Sequence, residues 1–146
     1  MAKTAQASDT SLEVRRTIPA PRERVFQAWT RPEDVKKWAA PGEMTTPIAE
    51  VDLRVGGKYR IEMQSPNGAR HVASGVYREV TPPKRLVYTW GWEDSSVKDS
   101  VVTVEFQDRG KSTEVILRHE RLPDAESRAR HTEGWTECME KFVALF

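Results

Sequence analysis

Leu12, Val14, Arg16 and Ile18 alternate with Glu13, Arg15 and Thr17, the period of two expected of a half-buried strand. Pro19 and Pro21 end that pattern. Pro21 lacks the N–H that a first helical turn leaves unused, so it opens a helix with Val25, Ala28 and Trp29 on one face. Thr30 and Pro32 then offer an N-cap and a first-turn proline to a second short helix, on which Val35 and Trp38 pair at i, i+3. Ala39-Ala40-Pro41-Gly42 closes the pair with turn chemistry.

From residue 46 the period changes. Runs rich in Val, Ile, Tyr and Thr, each bounded by turn residues, predict six strands near 46–53, 58–64, 71–80, 85–92, 99–107 and 112–121. Asn67-Gly68 and Arg109-Gly110 read as hairpin turns, where glycine supplies a positive φ. Links this short make neighbouring strands antiparallel. The last element starts at Pro123-Asp124 and carries His131, Trp135, Cys138, Met139 and Phe142 at helical spacing. Gly134 interrupts it at a cost of roughly 1 kcal/mol relative to alanine, which predicts close packing there or room left for something else.

These elements describe an α+β domain: a curved antiparallel sheet of about seven strands, two short helices and a long C-terminal helix. A length of 146 residues suits one domain, predicted over 11–146 after a disordered polar tail over 1–10. Charged residues make up 31% of the chain at a net charge of only +1, so the basic patch of a nucleic-acid surface is not expected. No apolar run approaches the ~20 residues that span a bilayer. The lone Cys138 and the absence of a secretory leader predict a reducing, cytoplasmic setting.

Familiar catalytic signatures do not appear. Gly110-Lys111-Ser112 echoes the end of a phosphate-binding loop, but Glu105 stands where the earlier glycine belongs and a hairpin follows. His71, His119 and His131 fall on two strands and one helix, which reads as satisfied histidines and not as a metal site. Cys138, on an apolar helix face, reads as a buried structural thiol. Neither a metal nor a cofactor is expected.

The order of elements is the helix-grip arrangement, and several motifs resemble one branch of it. These are Val25-Phe26-Gln27-Ala28-Trp29 with Trp38, Val55-Gly56-Gly57-Lys58-Tyr59, Gly75-Val76-Tyr77-Arg78-Glu79-Val80, the run Thr81-Pro82-Pro83-Lys84-Arg85-Leu86-Val87-Tyr88-Thr89-Trp90, Thr113 to His119, and Gly134-Trp135. The chain resembles the activator of heat-shock-protein-90 ATPase homologue family, within the START-like (SRPBCC) superfamily. That resemblance implies a cavity between the concave sheet and the C-terminal helix, where relatives hold sterols, lipids, polyketides or plant hormones. It implies no shared catalytic set. The eukaryotic activators carry a further N-terminal domain that engages the chaperone, and 146 residues are not expected to hold one beside this fold, so the resemblance implies fold and cavity before any co-chaperone role.

Alternation puts Tyr59, Ile61 and Met63 on one face, Leu86, Tyr88 and Trp90 on another, and Val115, Leu117 and His119 on a third, all facing Trp135, Met139 and Phe142. The expected ligand contacts are Tyr59, Met63, His71, Tyr88, Trp90, His131, Trp135, Met139 and Phe142, with His71, Ser74 and His131 as the orienting polar groups. The leading expectation is hydrophobic ligand binding, lipid binding included, with a small, mainly apolar molecule as partner. A second is a cyclase- or dehydratase-type enzyme working through His71, His131 or Glu62. A third is a protein-interaction module, chaperone-linked or self-associating as a homodimer.

Overall fold

The computed structural model describes residues 10–95, 97 and 99–146. Residues 1–9 of the predicted tail lie outside them, as do Ser96 and Lys98 between two of the predicted strands. Strands β1 (Leu12–Ile18), β2 (Thr45–Val51), β3 (Lys58–Gln64), β4 (Arg70–Thr81), β5 (Arg85–Trp92), β6 (Ser100–Asp108) and β7 (Thr113–Glu120) form one antiparallel sheet in the order β1-β7-β6-β5-β4-β3-β2. Helices α1 (Arg22–Thr30) and α2 (Pro32–Trp38) fall between the first two strands, and α3 (Ala125–Val143) follows the last.

Local chemistry sets the boundaries. The Asp124 carboxylate caps α3 by accepting from the Ser127 N–H at 2.8 Å. The β3–β4 hairpin turns through Ser65-Pro66-Asn67-Gly68, closed by a Gly68 N–H to Ser65 carbonyl bond of 2.8 Å, with Gly68 at φ +90°. Thr30 departs from expectation. Arg31, not Thr30, is the N-cap of α2, and Thr30 ends α1 with its hydroxyl donating back to the Phe26 carbonyl at 2.9 Å. Pro32 does open α2.

Register fixes which side chains face inward. Met63 opposes His71, Ile61 opposes Ala73 and Tyr59 opposes Gly75; on the next pair Tyr77 opposes Tyr88 and Leu86 opposes Val80. Tyr77 and Val80 differ in parity yet both face inward, because the ladder shifts between Tyr77 and Glu79, a bulge at Arg78. Leu86, Tyr88 and Trp90 continue across to Val104, Val102 and Ser100, and from there to Leu117 and His119. The three faces expected from alternation are therefore one concave surface.

Gly75 is not a turn residue. It sits inside β4, where a Cβ would stand 2.0 Å from the Thr89 carbonyl oxygen. Tyr59, across from Gly75 on β3, donates its hydroxyl to that same oxygen at 2.6 Å, spanning the strand between them. The Thr89 hydroxyl in turn accepts from the Val76 N–H at 2.8 Å. Two side-chain bonds thus stand where plain ladder bonds would otherwise run.

Candidate functional site

The concave face, the two short helices and residues 130–138 of α3 border a cavity of about 280 Å³. All five tryptophans of the chain (Trp29, Trp38, Trp90, Trp92 and Trp135) and all three tyrosines (Tyr59, Tyr77 and Tyr88) lie on its wall. The phenylalanines gather elsewhere. Phe26, Phe106 and Phe142 are buried in the closed half of the core and Phe146 packs on Phe142 at 5.3 Å between centroids. Trp29 and Trp38 also pack on that cluster through Phe106 and Phe142, but the wall itself carries only rings with a polar handle, which suits a hollow that presents apolar area and a few hydrogen-bonding groups.

Of the residues expected from the sequence, Tyr59, Met63, Tyr88, Trp90, His131 and Trp135 line this cavity. Met139 and Phe142 do not. They lie further along α3, wholly buried, with Phe142 packed edge-on against Trp29 and Trp38 at 5.1 Å each. His71 is half-buried at the start of β4, opposite Met63 and off the lining. Ser74, paired with Arg60, and Glu62, held by Arg60 and Arg70, sit on the outer face of the sheet. The hydrogen bond from the Arg60 guanidinium holds the Glu62 carboxyl below its ordinary pKa.

Trp29, Val35, Trp38, Tyr77, Trp92 and Cys138 complete much of the wall. Their signals differ. Trp92 continues the Leu86–Tyr88–Trp90 alternation and was readable in the sequence. Tyr77 was hidden by the bulge, and the α1–α2 tryptophans by the absence of any local pattern telling a cavity wall from core.

Two histidines organise the polar side. His131 accepts the Trp92 indole N–H on Nε2 at 3.0 Å and, through Nδ1, donates to the Ser127 carbonyl at 2.7 Å. His119 accepts the Trp135 indole N–H on Nδ1 at 3.0 Å, and its Nε2 lies 2.8 Å from the Ser100 hydroxyl, which donates to the Trp90 carbonyl. Each ring must be neutral to accept an indole proton. Burial enforces that, lowering the His131 pKa and pushing His119 down to about 3. Ser100 and His119 resemble a nucleophile–base pair, yet both are fully buried and both ring nitrogens are engaged. Cys138 is likewise inert as a nucleophile, its thiol pushed up to about 12 by burial.

The neutral histidines make the fold sensitive to acid. Both are fully compatible with folding above the ordinary histidine pKa of about 6.5, whereas below it the unfolded chain gains protons that the folded chain refuses. We expect stability to fall as pH drops from 6.5 to 5, the contribution of His119 approaching about 1.4 kcal/mol per pH unit and His131 acting in the same direction. The lowered carboxylates Glu13, Glu33, Glu62 and Glu114 add their losses only at more acidic pH. Urea titrations across that range should show a shallower slope for His119→Gln, and an unchanged slope would contradict this assignment.

The other indoles on the wall are donors only. Trp29 donates to the Tyr88 oxygen at 3.3 Å and Trp38 to the Ala28 carbonyl at 2.9 Å. The Trp90 indole N–H, by contrast, is buried without an acceptor, an omission that costs about 1–3 kcal/mol in a sealed interior. Burial raises the Tyr59, Tyr77 and Tyr88 pKa values, so all three phenols stay protonated near neutral pH. Among the described residues, Arg130 is the one charged group on the wall, and it pairs with Glu126 at 3.3 Å on the exposed side of α3. Those residues hold no cluster of three or more His, Cys, Asp or Glu suited to a metal ion, and no helix among them is long and apolar enough to cross a membrane.

A curled seven-stranded sheet gripped by a C-terminal helix defines the chain as a START-like domain. It belongs to the family of Activator of Hsp90 ATPase homolog 1-like proteins, whose model matches residues 19–146. A protein from Chromobacterium violaceum is 28% identical with a TM-score of 0.86, over 93% of this chain and 96% of that one. A Silicibacter pomeroyi AHSA1 protein is 28% identical with a TM-score of 0.82, over 92% and 95% of the two chains. A Nitrosomonas europaea protein is also 28% identical, with a TM-score of 0.79 over 93% of each chain. No curated protein matches the sequence.

Proposed function

We propose that this domain binds one small, mainly apolar molecule between its sheet and α3, with selectivity set by the shape of the cavity and a few hydrogen bonds. The observation that carries this reading is the collection of every tryptophan and tyrosine of the chain around a single hollow. No phenylalanine lines that hollow, so its aromatic border is made entirely of rings that carry a polar handle. The family relationship supports the same reading, because its fold places a helix over a concave sheet.

An acid–base role draws no comparable support. His131, the histidine on the wall, has both nitrogens engaged, and Glu62 faces away from the cavity.

Native mass spectrometry of freshly purified protein is the first test, since a retained molecule would identify its own chemical class. In parallel, a panel of lipids, sterols and polycyclic aromatics should contain a ligand that stabilises the fold by about 2.7 kcal/mol at a hundred times its dissociation constant. Such a gain raises the melting temperature by several degrees. A protein that carries nothing and is shifted by no member of the panel would not be a binding module of this kind.

A further inference from the structure

We infer that the sheltered molecule is uncharged and presents a hydrogen-bond-accepting oxygen, of the carbonyl class, on its apolar skeleton. This rests on the cavity being a binding site, and adds which polar group the ligand must bring.

The inference comes from a count of donors and acceptors around the wall. Four of the five indole N–H groups already have acceptors: the Tyr88 oxygen, the Ala28 carbonyl, His131 and His119. Trp90 has none among the described residues, but its nitrogen is sealed from the cavity as well as from solvent and makes no demand on a ligand. Tyr59 spends its proton on Thr89, whereas among the described residues neither Tyr77 nor Tyr88 finds an acceptor for its own. Those two residues oppose each other in register, with ring centroids 5.7 Å apart and exposures of only 5% and 6%.

Two side chains on one wall, Tyr77 and Tyr88, therefore keep a hydroxyl proton that no described residue accepts. The obvious acceptors are already used: both nitrogens of His131 and His119 are occupied, and the Ser100 hydroxyl is bonded on both sides. Buried donors call for a partner. An alcohol or amine used only as a donor would meet further donors, and a hydrocarbon would leave them unpaired. A carboxylate would satisfy them, but its charge would be buried with a single cation on the wall, Arg130, already committed to Glu126. A neutral carbonyl oxygen accepts two hydrogen bonds and carries no such charge.

Three probes of one bicyclic skeleton separate these cases: 1-tetralone, tetralin and tetralin-1-carboxylate, titrated calorimetrically into the intact protein. We expect 1-tetralone to bind at least tenfold more tightly than tetralin. Tyr77→Phe, which removes a hydroxyl with no acceptor among the described residues, should reduce that preference several-fold, read as the ratio of ketone to hydrocarbon affinity. Tyr88→Phe should act in the same direction. Equal affinities for ketone and hydrocarbon, a ketone preference untouched by both variants, or tightest binding by the carboxylate would overturn the inference while leaving the cavity a binding site. Binding of none of the three would count against the binding site itself.

Discussion

Gly134→Leu should weaken binding of small apolar molecules about a hundredfold while leaving the protein at least as stable as the parent. Gly134 lies in the middle of α3 and on the cavity wall. A Cβ built there meets only the Pro41 side chain, at 4.0 Å, which is ordinary contact distance. The glycine is therefore not required by close packing, one of the two explanations its sequence position allowed. It leaves room. Adding a methyl group as Gly134→Ala should stabilise the helix by about 1 kcal/mol, because glycine is a poor helix former and nothing has to move. A leucine gains similar helix propensity but sends a branched side chain into the hollow, and a loss of affinity on the order of a hundredfold, about 2.7 kcal/mol, is expected. Thermal melts and ligand titrations on the same preparations measure both effects. A helix that forgoes stability at the one point where it overlooks a cavity fits selection for binding over maximal stability.

Gly75→Ala should have the opposite character, destabilising the fold by about 3 kcal/mol, at the upper end of overpacking costs. Its Cβ would fall 2.0 Å from the Thr89 oxygen, 2.7 Å from the Thr89 carbonyl carbon and 2.8 Å from the Thr89 hydroxyl. None of these atoms is the free end of a flexible chain. Thr89 is paired to Val101 on β6, its carbonyl takes the Tyr59 proton, and its hydroxyl takes the Val76 N–H. Relief requires separating β4 from β5 and dislodging Tyr59 from the cavity wall. Urea unfolding should show a lower midpoint with little change in slope, and a midpoint equal to the parent's would mean that β4 yields more easily than its bonding suggests.

The two glycines show where sequence reading succeeds and where it stops. Alternation from Leu12 to His119 and the 3.6-residue stripe on α3 place the strands and helices close to where they lie, because those periods follow directly from backbone geometry. The inward faces of β3, β5 and β7 followed from the same rule. The bulge at Arg78, the route of Tyr59 over Gly75 and the division of α3 into a cavity half and a core half depend on contacts between residues distant in sequence. No local pattern carries them. His131 and Met139 share a helical stripe, but one borders the hollow and the other lies under Phe142's half of the core, and only the position of the short helices decides which is which.

If the aromatic hollow is a binding site, the distribution of tryptophan makes its occupancy directly measurable. Every indole in the chain borders the cavity, so a molecule that enters it must alter the intrinsic fluorescence. Titrating the parent protein and Gly134→Leu with the same uncharged apolar carbonyl compound should give a saturable, one-to-one change in the parent and none over the same concentrations in the variant. No saturable change in the parent, or the same change in both proteins, would contradict a binding site there.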